Sequence, residues 1–170
     1  MLSSGFSEFK LDFAGTKKLG IGDVVYSDDI WAGEHIWKVR CYPHGDKEAV
    51  NGDYLSIFLE LVGKSTNVKA IFDVFLMCKD GTPSSAHAKR CVKVYPPEGF
   101  QAWGFGQFVK RTDLESDCIV DGHITFMCGV VVLSDNPIAV PSSDIGDNLD
   151  CILDSGDGSD FVPKVIEIMA

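Results

Sequence analysis

"DYLSIFLELV", residues 53–62, decides the fold. Leu55, Ile57, Leu59 and Leu61 alternate with Tyr54, Ser56, Phe58 and Glu60. In an extended strand successive side chains point to opposite faces, so this period of two describes a strip with one apolar face and one wet face. The leucines and Ile57 form the core side, while Ser56 and Glu60 mark the other side as wet. Phe58 is then an aromatic ring on the wet face. Two readings stand for it: a ring packed under a neighbouring loop, or a ring offered to a ligand.

Similar alternation recurs on both sides of this stretch. "EFKLDFAG" (8–15), "HIWKVRCY" (35–42) and "HITFMCGVVVL" (123–133) each place apolar residues at every second position. "AKRCVKVY" (88–95) is shorter and half polar. "VKAIFDVFLMCK" (68–79) puts Ala70, Phe72, Val74, Leu76 and Cys78 on one face, so parity buries Phe72 unless a bulge intervenes. Turn-rich segments separate these runs: "PHGDKEAVNGD", "GKSTN", "KDGTPSS" and "PPEG". Short strands at this spacing, without alternating helices, predict an antiparallel sandwich or barrel. One short helix is predicted within "GQFVKRTDL" (106–114).

Composition narrows the function. The formal net charge is −10, a poor match for nucleic acid or an anionic membrane surface. Hydrophobic residues make up 45 % of the chain, enough for a core. The N-terminus does not read as a signal peptide, and no apolar run approaches membrane-spanning length. The six cysteines show no CxxC pair and no ligand spacing with histidine, so they read as small core residues of a reduced protein, in the cytoplasm or nucleus. His35, His44, His87 and His123 are not spaced as metal ligands, and nucleophile-elbow, phosphate-loop and dinucleotide motifs are missing. "DIGDNLD" and "DSGDGSD" lack calcium-loop spacing. The expectation is therefore a non-enzyme with no catalytic residue, metal or cofactor.

The C-terminal part differs in character. Residues 135–160 read as an acidic linker or tail, with six Asp and no Lys or Arg between Asp144 and Asp160. Residues 161–170, "FVPKVIEIMA", form a short apolar segment.

The candidate site lies in "QAWGFGQFVKRTDL" (101–114). Trp103 and Phe105 flank Gly104, so in an extended stretch both rings point the same way and form a platform. If Phe58 shares that sheet face, the three rings line a groove suited to a short extended peptide. The competing reading makes them a hydrophobic plug under the "YPPEGF" loop (95–100).

Together, "WKVRCYPHG", "DYLSIFLELV", "WGF" and "FVKRTDL" resemble the meprin and TRAF homology, or MATH, domain. The resemblance covers about residues 6–134 and is nearest to the MATH–BTB proteins of plants, especially grasses. It implies an all-β fold, a TRAF-like antiparallel β-sandwich of seven to eight strands. It also implies a binding module that captures short Ser/Thr-rich segments in an aromatic groove, for a cullin-type ubiquitin ligase docked by an attached BTB domain. Carried over by position, the groove falls on Phe58 (Tyr in animal relatives), Phe72, Trp103, Gly104 and Phe105. One further position falls on Val92 when counted from the preceding strand, or on Tyr95 when counted back from the Trp. After "DGSD", where a BTB domain is expected to start, only "FVPKVIEIMA" follows. The expectation is a recognition half without a BTB domain, which competes with full-length MATH–BTB proteins. Its expected partners are short linear peptide motifs and such full-length relatives. The alternative is a structural or oligomerisation domain that uses sheet faces or edges.

Overall fold

The alternation of residues 53–62 builds a central strand of one of two antiparallel sheets. The computed structural model describes residues 3–48, 51–63, 65, 67–96 and 101–134. The expected acidic linker, residues 135–160, and the short apolar segment, residues 161–170, lie outside the described residues. Nine strands occur among those described: β1 (Ser3–Asp12), β2 (Val25–Tyr26), β3 (Ile30–Ala32), β4 (His35–Tyr42), β5 (Tyr54–Val62), β6 (Val68–Met77), β7 (Pro83–Tyr95), β8 (Ala102–Lys110) and β9 (His123–Leu133). One α-helix, α1 (Arg111–Asp117), joins β8 to the last strand. The first sheet has the order β1-β9-β6-β7 and the second β2-β4-β5-β8, with β3 also paired to β4. All pairs are antiparallel. This is the expected β-sandwich. The count exceeds seven to eight because β2 and β3 are too short to leave a periodic signal.

The core follows parity. The first sheet contributes Phe9, Leu11, Ala70, Phe72, Val74, Leu76, Ile124, Phe126, Cys128 and Val130; the second contributes Trp37, Val39, Cys41, Leu55, Ile57, Leu59 and Leu61. Full burial of one such aliphatic or aromatic side chain contributes roughly 1.5–3 kcal/mol. Trp37 is sealed at the centre, where its Nε1–H donates to the Ala32 carbonyl (3.0 Å). Its ring meets Tyr95 edge-on, with centroids 5.0 Å apart.

Two local expectations are corrected. Ser56 was placed on the wet face, but it is fully buried. Pairing runs Leu55↔Val109 and then Ile57↔Phe105, so Ser56 alone faces Gly106, Gln107 and Phe108 in a wide bulge. The Ser56 hydroxyl donates to the Gly106 carbonyl (2.6 Å), accepts from the Asp46 N–H (3.1 Å) and sits 3.0 Å from Asp46 Oδ1. The same bulge lets adjacent Phe108 and Val109 both be buried. It also keeps residues 106–110 in β8, so the helix starts at Arg111 rather than within the strand-forming part of 106–114.

Candidate functional site

Where β7 and β8 end their sheets, two part-buried rings of β8 lie beside two lysines of β7, and we call the strip between them the slot. On β8, Trp103 pairs with Leu59 and Phe105 with Ile57. Directly paired residues share a face, so both rings point inward, over the rim of the core. Each is only partly buried. Phe105 stacks on Phe72 with centroids 6.4 Å apart and tilts against Phe108 at 6.1 Å. From β7, Lys93 Nζ lies 5.1 Å from the Trp103 ring centroid, and Lys89 Nζ lies 5.5 Å from that of Phe105. Lys89 Nζ also donates to the Gln107 carbonyl at 2.8 Å, spanning the two strands. The Trp103 Nε1–H is buried with no acceptor among the described residues. Such an orphaned donor is uncommon in a folded protein.

Gly104 holds the two rings in place. A Cβ there would lie 2.6 Å from the Phe58 Cα and closer still to the Ile57 carbonyl oxygen. Only glycine lets β8 approach β5 this closely.

The register separates the residues that the sequence brought together. Phe58 pairs with Gly104, not with either ring, so it lies on the outer face of its sheet while Trp103 and Phe105 lie on the inner face. The expectation of three rings on one face is corrected. Phe58 instead packs edge-on against Tyr42 at 5.8 Å. Beside it the Arg40 guanidinium sits 5.7 Å from the Tyr26 ring and 5.9 Å from Tyr42. Arg40 Nε is 3.6 Å from Glu60 Oε2, an ion pair too long to count as a hydrogen bond.

Phe72 and Tyr95 are also corrected as groove residues. Each is only 1 % exposed. Parity governs Phe72, which pairs with Val130 and Cys91 on the inner face. It forms the floor beneath Phe105. The Tyr95 hydroxyl donates to the Leu59 carbonyl (3.0 Å), and burial pushes its pKa up. Val92, the other candidate, is 47 % exposed and belongs to the outer face opposite Ile71.

Lys89 and Lys93, which lie beside the rings, were not among the expected site residues. The signal was present: "AKRCVKVY" alternates Lys89, Cys91, Lys93 and Tyr95, and the burial of Tyr95 identifies that face as inward.

No group of three or more His, Cys, Asp and Glu among the described residues could hold a metal ion. Burial raises the pKa of the Cys41 thiol, that of Cys128 to about 12 and that of Cys118 to about 11. Thiols held protonated in this way are poor nucleophiles at neutral pH.

Two packed antiparallel sheets, with β7 and β8 as end strands among the described residues, define a β-sandwich of the kind that serves as a protein-interaction module. The MATH domain model matches residues 8–130, and the chain belongs to the MATH domain family. It is similar to "BTB/POZ and MATH domain-containing protein 4" of Arabidopsis thaliana, 32% identical over 163 residues, which cover 88% of this chain and 35% of that protein. It is 31% identical over 159 residues to "BTB/POZ and MATH domain-containing protein 5" of the same plant, covering 85% of this chain and 39% of the relative. The chain therefore spans well under half the length of these relatives.

Proposed function

We propose that the slot between β7 and β8 captures a short extended segment of a target protein. On this reading the chain is the recognition part of a substrate adaptor for cullin-type ubiquitin ligases, taking Ser/Thr-rich segments. The observation that carries it is the pair Trp103 and Phe105: two part-exposed rings on the inner side of an end strand. The free edge of that strand supplies backbone donors and acceptors to an added strand, and the rings receive side chains.

Five or six residues in a shallow slot bind at about −8 kcal/mol, the micromolar range. Linking two such sites raises apparent affinity by roughly 10²–10⁴. A recognition domain acting singly lacks that gain. The setting this implies is the cytoplasm or nucleus. A peptide array probed with wild type and Trp103→Ala tests the reading. Binding falls at least tenfold, about 1.4 kcal/mol, while the thermal midpoint holds. Equal binding by both proteins refutes it.

A second reading rests on a different surface. On the outer face of the first sheet Phe6 is 63 % exposed, Val94 50 % and Val92 47 %. These residues suit a structural or oligomerising contact, which light scattering of wild type and Phe6→Asp tests. A monomer in both excludes self-association by that face.

A further inference from the structure

The cations along the slot suggest what kind of segment it prefers; this inference rests on the peptide-capture reading above. Lys89 and Lys93 lie on the same side of β7, and their ammonium groups lean over the two rings of β8. None of the ion pairs among the described residues uses either lysine. The acid on the strand beside them, Asp73, is turned to the outer face, where both its oxygens are taken by Arg90 at 2.6 and 2.8 Å. Among the described residues the Trp103 indole N–H is a buried donor without an acceptor, and the Gln101 amide oxygen two residues away is a buried acceptor without a donor, so these two groups add no net polarity. The slot thus offers cations but no facing carboxylate among the described residues.

We propose that the slot selects extended peptides carrying acidic side chains, Asp or Glu, at two positions of the same parity. The spacing follows from strand geometry. Residues four apart in a strand lie about 13 Å apart, and residues two apart about 7 Å. The lysines are four apart on β7, while the rings they lean over, Trp103 and Phe105, are two apart on β8. An extended ligand lying along the two strands, over the lysine ammonium groups, therefore meets both cations with acids two or four residues apart. When the acids are four apart, the residue midway between them faces the rings and is apolar.

A phage-displayed library of random decapeptides, selected on the immobilised chain, tests this. Wild type is compared with Lys89→Met/Lys93→Met, which keeps the apolar stems, with Lys89→Arg/Lys93→Arg, which keeps the charge, and with Trp103→Ala. Wild type and the Arg variant enrich peptides with paired acids of one parity. The Met variant enriches peptides without that bias. Changing either acid of an enriched peptide to its amide weakens binding to wild type about threefold at low salt and leaves the Met variant unchanged. Equal acid content in the wild-type and Met-variant pools overturns the proposal while leaving peptide capture intact. No enrichment by wild type, or equal enrichment by Trp103→Ala, overturns the capture reading and this proposal with it.

Discussion

The two long sides of the sandwich close in different ways. On one side β1 meets β3 almost backbone to backbone. A Cβ on Gly5 would lie 2.5 Å from the Trp31 carbonyl oxygen, and one on Gly33 would lie 2.6 Å from the Val132 Cβ. The Gly33 N–H donates to Ser3 Oγ at 2.7 Å. On the other side β7 and β8 face each other across rings and long cations, with Lys89 reaching the Gln107 carbonyl. Both sides are made of end strands. Side-chain size decides the outcome: glycine where the sheets must touch, Trp, Phe and Lys where they are held apart. A sandwich edge stays apart where large side chains keep it from closing.

The largest expected effect comes from the floor of the open side. Phe72 is sealed beneath Phe105, so Phe72→Ala leaves a cavity and costs about 4 kcal/mol of unfolding free energy in a urea titration. A loss under about 1 kcal/mol would mean that Phe72 is a ligand-facing ring after all. Next comes the closed side. Gly33 has φ +61, and an added methyl collides with Val132, so Gly33→Ala costs about 3 kcal/mol. Peptide binding by the folded fraction stays unchanged, because the slot is on the opposite side. A Gly33→Ala protein as stable as wild type would remove the distinction between the two sides.

Much of this was legible before the structure. Period two gave the core faces of β5, β6 and β9, and parity alone placed Phe72 correctly where family resemblance moved it to the groove. Trp103 and Phe105 on one side of Gly104 also followed from alternation. What the sequence did not carry is pairing between distant segments. The opposition of Phe58 and Gly104 separates Phe58 from the rings, and it is a fact of register between β5 and β8. The bulge that buries Ser56 is likewise made by three residues fifty positions away, Gly106 to Phe108. Tyr95 falls at the groove when counted back from the Trp, yet its ring ends against Trp37 in the core.

Cysteines report on the same contrast through pH. Cys41 and Cys128 lie in the sealed core, where burial raises both pKa values above the ordinary 9.0, Cys128 to about 12. In the unfolded chain these thiols ionise first, so the unfolded state releases protons as pH rises past about 9. Stability is intact below that point and falls above it, by about 1.4 kcal/mol per thiol at pH 10. Urea midpoints at pH 7 and pH 10 measure this, and Cys128→Ala flattens the decline. Cys91, half-buried between Lys89 and Lys93 in the slot, is the internal control. Its pKa is also raised by burial, with Lys93 opposing the shift. In native protein iodoacetamide labels Cys91 before Cys41 or Cys128. The reverse order would place the solvent-reachable opening elsewhere.

The smallest effect concerns what spans the open side. Lys89→Met removes one hydrogen bond to the Gln107 carbonyl and two cation–ring contacts, at 5.5 and 5.7 Å, but keeps the stem that covers Phe105. Cation–ring contacts at exposed positions contribute about 0.5–1 kcal/mol, and the neighbouring rings remain packed on Phe72 and Phe126. The expected loss is therefore about 1 kcal/mol, well below that of Gly33→Ala. Amide exchange should separate the sides more sharply than global stability does. Protection at β8 falls in Lys89→Met while protection at β3 holds, because the lysine bridges only one edge. A loss as large as that of Gly33→Ala would make Lys89 a structural clamp whose displacement by a ligand is costly. The near-equal stability of Lys89→Met and wild type would instead leave the ammonium free to turn from the ring toward an incoming carboxylate.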